Sequence, residues 1–200
     1  MSLTLLIIIG LALSFSFMNG VHDSRNVVAT MISSRAYPTR IALGVTALAE
    51  FFGPFIFGVA VAQTIGRGIV ESSAVTEQVL VVALGSALIW NLLTWVAKLP
   101  SSSSHALIGG LLGAATMRAG PSVIQTDGLL NILISLFASP IIGFFAGFIF
   151  LRVVIHLSRN ATPRVNDFFK RSQLLTALIL GLSHGSNDGQ KSMGLITLAL

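Results

Sequence analysis

Long apolar runs are the feature that most limits how this chain can fold. A helix crosses a bilayer with about 20 mostly apolar residues. Stretches of this kind lie at 2–33, 40–63, 78–98, 100–117, 128–151 and 173–200. Of the 200 residues, 54% are hydrophobic and 10% are charged, whereas a soluble domain carries about a quarter charged residues. The sequence therefore predicts an all-α membrane protein, a multi-span helical bundle.

Composition removes several classes of function. Cysteine is absent, which excludes disulfides, thiolate metal sites and cysteine nucleophiles. The net charge of +5 comes mostly from cations beside apolar runs, not from a basic groove, so we expect no nucleic-acid partner. The expected location is the cell (inner) membrane, with the lipid bilayer as partner.

The cations also predict an orientation. The segment 152–171 holds five Lys and Arg residues against one acid, Asp167, so the positive-inside rule places it in the cytoplasm. Counting back through five crossings puts the N-terminus outside, the turn at 35–40 inside and the loop at 64–77 outside.

A serine-rich segment interrupts this pattern. In "LPSSSSHALIGG", residues 99–110, Pro100 and Ser101–Ser104 open a helix that would be poorly suited to lipid, so it could be re-entrant. Hydroxyls and free amides at a helix N-terminus suit a tetrahedral oxyanion. An ordinary serine-capped span is the simpler alternative, and His105 alone is expected to be structural.

A short polar motif occurs twice within apolar sequence. Residues 20–23 read Gly-Val-His-Asp, and residues 185–188 read Gly-Ser-Asn-Asp. The two copies would enter the membrane from opposite sides, which is typical of inverted-topology repeats built from broken helices. The predicted division is a first repeat at 1–151, a basic loop at 152–171 and the start of a second, incomplete repeat at 172–200.

Ionisable groups at bilayer depth are costly and therefore predict function. Asp23 and Asp188, each beside an expected unwound stretch permitted by Gly20 or Gly185, suggest a sodium or proton site. The alternative is that each carboxylate caps a kinked helix. Glu50 needs a partner as well, either a coupling ion or a buried ion pair.

The motifs "NGVHDSRNVVAT", "LPSSSSHALIGGLLGA" and "HGSNDGQKSMG" resemble the inorganic phosphate transporter family, which includes some sulfate permeases. The resemblance covers the first half of such a transporter and the opening of its second repeat. It implies secondary active transport of phosphate with sodium or protons by alternating access, no enzyme activity and no cofactor besides the coupling ion. Arg25 departs from the family pattern, in which we expect a small residue.

The resemblance and the motifs together assign candidate residues. The predicted phosphate ligands are Asp23, Asn26, Ser103, Ser104, Asn187, Asp188, Gln190 and Lys191. The predicted coupling-ion residues are Asp23, Glu50 and Asp188, and the two aspartates are the possible sodium ligands. The predicted supporting residues are Gly20, His22, Arg25, His105 and Gly185, with Arg25 pairing with Asp23 or Glu50 or meeting the anion.

Three alternatives remain at this stage. A sulfate permease would use the same donors, although the carboxylates favour phosphate, which can donate a hydrogen bond. A truncated, non-transporting half-protein is suggested because a second Pro-Ser/Thr-His hairpin is missing, so either a homo-oligomer or a missing second half would complete the site. An intramembrane hydrolase using Ser104 and His105 fits poorly, because adjacent helical side chains diverge.

Overall fold

The computed structural model describes residues 2–57 and 68–200, so the end of the predicted span 40–63, and Arg67 in the 64–77 loop, lie outside the described residues. Within these ranges the chain is almost entirely helical. The long helices are α1 (Leu3–Ser33), α2 (Thr39–Phe57), α3 (Glu77–Val96), α4 (Ser103–Ala119), α5 (Thr126–Leu157) and α6 (Val165–Ala199).

Four of these helices are long and apolar enough to cross a membrane. They lie at Leu3–Ser33, Thr39–Ile56, Glu77–Val96 and Thr126–Leu157. The described residues contain no strand, only an isolated bridge between Val70 and Ile124. The all-α membrane fold predicted from the apolar runs is confirmed.

Helices α3 and α4 form an antiparallel hairpin. Gly110 of α4 faces the backbone of Ala83 so closely that an added Cβ would lie 2.6 Å from its oxygen. At the open end, the residues before α3 and after α4 are hydrogen-bonded to each other, from Gln125 N to Ile69 O at 3.0 Å and from Glu71 N to Val123 O at 2.9 Å. The hairpin therefore starts and finishes at the same end of the bundle.

Helix α1 packs between this hairpin and α6. The main core consists of apolar side chains from α1, α3, α4 and α6, including Ile8, Phe15, Leu84, Leu107 and Leu195. The contacts between α1 and α6 run in opposite chain directions, because Ser16 bonds to Ser192 whereas Ser34 bonds to Gln173. The two helices are therefore antiparallel.

Helices α2 and α6 run parallel and meet along a seam of small residues. A Cβ on Gly181 would lie 2.8 Å from that of Ala49, and a Cβ on Gly189 would lie 2.6 Å from Pro54 Cγ. Small residues permit this approach because they remove side-chain bulk between the two backbones. The seam brings the middle of α2 close to the polar part of α6.

Helix α5 differs from the others because none of its residues is buried against the described part of the chain. Its large apolar side chains are exposed, including Phe144 at 69% and Ile149 at 60%. A 32-residue helix of this kind suits contact with lipid tails or with further protein.

Three predicted boundaries are wrong. The helices at 2–33 and 173–200 are not interrupted: α1 and α6 continue without a break through both polar motifs. The segment 152–171 is not one loop, because α5 extends to Leu157 and α6 begins at Val165. The 100–117 helix begins at Ser103, so Pro100 precedes its first turn.

The unbroken helices have a physical explanation. The polar side chains of the two motifs bond to one another across α1 and α6, so unwound backbone is not needed to satisfy them. The unwound stretches expected beside Asp23 and Asp188 are therefore absent, so no free backbone carbonyls are available there and oxygen ligands must come from side chains. Gly185 serves close packing instead, whereas a Cβ on Gly20 would meet nothing within 4 Å.

Candidate functional site

A cluster of ionisable side chains lies where the middles of α1, α2 and α6 meet. His184 is at its centre: its Nε2 atom lies 3.3 Å from Asp188 Oδ2 and 3.9 Å from Asp23 Oδ2. Asp188 follows His184 by one helical turn on the same face of α6. The cluster therefore joins the aspartates of both motif copies through one imidazole.

The other side of the imidazole faces α2. His184 Nδ1 lies 3.2 Å from Glu50 Oε1. This contact depends on Gly185, because a Cβ there would overlap the backbone oxygen and Cα of Glu50. Glu50 thus has a histidine partner, which was not predicted.

Two further polar side chains complete the cluster. Lys191 Nζ lies 2.5 Å from Asp188 Oδ1, and Lys191 is only 4% exposed. Asn19, also buried, donates from Nδ2 to Asp188 Oδ2 at 2.5 Å. Asp188 therefore accepts from α1 and from its own helix, with the imidazole of His184 beside it.

The contacts across α1 and α6 are reciprocal. Asn19 lies four residues before Asp23 and bonds to Asp188; His184 lies four residues before Asp188 and faces Asp23. In each helix the residue one turn before the aspartate thus reaches the aspartate of the other helix. Because α1 and α6 are antiparallel, this exchange is the pattern expected of a local two-fold relation.

The cluster can hold a cation. Asp23, His184 and Asp188 each place a potential ligand atom within 4.8 Å of the others. Asn19 adds a fourth group, since its Oδ1 is buried and has no hydrogen-bond partner among the described residues. Carboxylate and amide oxygens are the ligands that hard cations prefer.

Other predicted residues lie at or beyond the edge of this cluster. Asn26 Nδ2 donates weakly to Asp23 Oδ1 at 3.5 Å and is exposed. Asn187 is exposed on another face of α6, and Gln190 Nε2 donates to Ser186 at 2.9 Å. Arg25 is exposed and forms no ion pair within the described ranges, so its predicted pairing with Asp23 or Glu50 is wrong: His184 faces both carboxylates instead.

The predicted oxyanion segment forms the tip of the α3–α4 hairpin. Ser102 caps α4 and accepts from His105 N at 3.4 Å, and Ser101 accepts from the Trp90 indole at 3.0 Å. Ser103 is buried and Ser104 is half-buried. Neither serine hydrogen-bonds to the carboxylate cluster in the part of the chain that the structure describes.

Neighbouring polar groups complete this picture. His105 is exposed and lines an open groove of about 820 Å³ on the hairpin, away from the carboxylates. His22 is buried, and its Nε2 has no hydrogen-bond partner among residues 2–57 and 68–200. Asn91 of α3 is 1% exposed, and neither its Oδ1 nor its Nδ2 atom has a hydrogen-bond partner within those ranges.

Sequence reasoning gave no role to His184 or Asn19. A usable signal was present: aligning the two motif copies on their aspartates places Asn19 opposite His184, one helical turn before each aspartate. The Ser16–Ser192 contact had no such signal, because those two residues are not equivalent in the alignment.

Comparison with known proteins gives a consistent result. The sequence profile of the phosphate transporter family matches residues 19–200. Similar proteins include probable low-affinity inorganic phosphate transporters of Rhizobium meliloti (42% identical over 96% of this chain and 58% of the relative) and Bacillus subtilis (41%, 99% and 60%). One from Streptomyces halstedii is 42% identical over 92% of this chain and 88% of the relative.

A solved structure described as the sodium-dependent phosphate transporter has a TM-score of 0.82. It is 22% identical, over 98% of this chain and 67% of that one, which indicates a shared fold. The chain spans about three-fifths of the length of the Rhizobium and Bacillus relatives. On the match to the family profile and these identities, the chain belongs to the phosphate transporter family.

Proposed function

We propose that the chain is a secondary active transporter that carries inorganic phosphate together with sodium or protons by alternating access. The observation that carries this proposal is the cluster of Asp23, Glu50 and Asp188 around His184, in which Asp23 and Glu50 come from two helices apolar enough to span a membrane, α1 and α2. Charged side chains are costly inside a membrane, so a cluster of them is best explained by a role in transport. The names of the related proteins favour phosphate.

The charges of the cluster supply a reason for coupling. Three carboxylates face one histidine, and among the described residues Lys191 pairs with one of them, Asp188. Such a site repels a free phosphate anion until cations reduce the negative charge. Cation and anion would therefore bind together, which is the condition for symport.

The phosphate itself would lie between the cluster and the hairpin tip. Ser103 and Ser104 stand in the first turn of α4, where backbone amides and the helix dipole favour an anion. Asn26 at the edge of the cluster would add an amide donor. Asp23 would hold the coupling cation beside Asp188, with Glu50 fixing the orientation of His184.

The reciprocal contacts between α1 and α6 support the inverted-repeat interpretation. In the proposed topology α1, α2 and α5 cross the bilayer, and the α3–α4 hairpin returns to the side from which it entered. This arrangement keeps the N-terminus outside and the basic segment between α5 and α6 in the cytoplasm. The orientation is the same whether α3 and α4 both cross the bilayer or neither does, because the hairpin returns to its starting side in both cases.

The test is uptake of radiolabelled phosphate into proteoliposomes containing the purified chain, driven by a sodium gradient. A proton-gradient arm and a sulfate competition arm run beside it. Saturable uptake that Asp23→Asn reduces to background supports the proposal. The matched control is Asp167→Asn, an equal change at an exposed position in the first turn of α6.

Three results contradict the proposal in whole or in part. Uptake by Asp23→Asn equal to that of the unmodified chain removes the cluster from the mechanism. No uptake by the unmodified chain, inserted and helical, means that these residues alone are not a transporter, as the half-protein alternative states. If sulfate competes as strongly as unlabelled phosphate, the site does not select phosphate, and the sulfate permease alternative is favoured.

A further inference from the structure

The two aspartates of the cluster differ in their permanent counter-ions. When the motif copies are aligned on Asp23 and Asp188, Asn26 in α1 corresponds to Lys191 in α6, each three residues after its aspartate. Both side chains contact the aspartate of their own helix, Asn26 at 3.5 Å and Lys191 at 2.5 Å. The geometry is shared, but one partner is a neutral amide and the other is a cation.

The Lys191 ammonium is held in place by the fold. Lys191 is 4% exposed and belongs to α6, which packs on both α1 and α2. A buried lysine that pairs with a carboxylate cannot leave the site in the way that a dissolved ion can. Asp188 is thus neutralised without an inorganic cation.

Among the described residues, no lysine or arginine forms an ion pair with Asp23. Its neighbours are the exposed Asn26 amide and the imidazole of His184 at 3.9 Å. Asn19, on the same face of α1, places its amide group in the cluster by donating to Asp188, and its buried Oδ1 has no partner among the described residues. Asp23 and Asn19 lie one helical turn apart on this face, and a carboxylate together with an amide oxygen is a ligand set suited to a hard cation.

We propose that Lys191 takes the place of an inorganic cation at Asp188, so that Asp23 and Asn19 Oδ1 form the site for the dissociable cation. The meaning of this assignment for coupling rests on the proposed function: transport would use one sodium ion fewer than in a protein with asparagine at both equivalent positions. Lys191 then acts as a fixed counter-ion and not as the phosphate ligand suggested by the sequence.

The experiment counts sodium ions directly. Equilibrium binding of radioactive sodium is measured on the purified chain in lipid nanodiscs, without phosphate and at mildly alkaline pH, so that carboxylates are not neutralised by protons. The variants are Lys191→Asn, which copies the α1 arrangement into α6, and Asn26→Lys, which copies the α6 arrangement into α1. Lys191→Arg is the matched control that retains the charge.

We expect Lys191→Asn to bind one sodium ion more per chain than the unmodified protein. Asn26→Lys should bind one fewer, and Lys191→Arg should bind the same number. Equal sodium counts for Lys191→Asn and the unmodified chain overturn the proposal, as does an extra ion bound by Lys191→Arg. If Lys191→Asn binds no additional sodium ion, and a separate phosphate-binding measurement on this variant shows weaker binding, Lys191 would instead be an anion ligand.

Two features keep the result interpretable. Lys191→Gln provides a second neutral amide should Lys191→Asn lose its helical circular dichroism signal, and the exposed Asn26 allows the same prediction to be tested without disturbing a buried pair. Sodium binding does not require transport. A chain that takes up no phosphate would refute the proposed function, while the difference in sodium count would still decide the role of Lys191.

Discussion

Replacing Gly185 with alanine is expected to separate α2 from α6 and disturb the cluster. The added Cβ would lie 2.5 Å from the carbonyl carbon of Glu50, and nearer still to its oxygen and Cα, whereas ordinary contacts begin at 3.4 Å. All three obstacles are backbone atoms, so no side-chain rotation relieves the overlap. One helix must move by about 1 Å, which carries Glu50 away from His184.

The size of the effect follows from two opposing contributions. Overpacking costs typically about 1–3 kcal/mol, and backbone obstacles place Gly185→Ala near the upper end. Alanine recovers up to about 1 kcal/mol of helix propensity relative to glycine, which leaves a net loss of roughly 2 kcal/mol. Gly20→Ala is the matched control: it occupies the equivalent motif position, and its Cβ would meet nothing within 4 Å, so it keeps only the gain of up to about 1 kcal/mol.

The assay is thermal unfolding of both variants in the same detergent, combined with sodium binding. The difference of roughly 3 kcal/mol corresponds to midpoints separated by about 6–12 °C for a chain of this length. Gly185→Ala should also bind sodium more weakly than Gly20→Ala. Equal midpoints and equal sodium affinities for the two variants would refute the close approach of α2 to α6 and, with it, the placing of Glu50 at the cluster.

Further substitutions test individual contacts. Asp188→Asn is expected to abolish phosphate uptake and to lower stability by about 3–5 kcal/mol, because it leaves the buried Lys191 without its carboxylate partner. Adding Lys191→Met should restore the unfolding midpoint but not uptake. Restored uptake would contradict the role given to Asp188. Ser192→Ala removes the hydroxyl bonded to Ser16 and should cost about 1 kcal/mol in chemical denaturation, with no change meaning that the α1–α6 contact is not formed. Trp90→Phe removes the indole donor to Ser101 and should increase hydrogen exchange at the hairpin tip while leaving sodium binding unchanged; an unaltered tip would count against that bond.

The sequence by itself determined that the chain folds in a lipid bilayer and that its site is built from carboxylates. In lipid, the backbone polar groups of an apolar run of about 20 residues are satisfied within a helix, so the all-α membrane fold followed from length and composition. Asp23 and Asp188 stood out because a carboxylate in an apolar run is costly and therefore rare. The family was recognisable from the same motifs, which are short and continuous in the chain.

Only the tertiary structure decided what these residues contact. Helical continuity at both motifs depends on partners in another helix: Asn19 and Asp188 are 169 residues apart, so no local pattern announces that they satisfy each other. The same reason applies to Glu50, whose histidine partner is reached because Gly185 lets two backbones meet. Periodicity fixes the face on which a side chain lies, but the packing of α1, α2 and α6 chooses the neighbour, and this choice makes His184 the centre of the site.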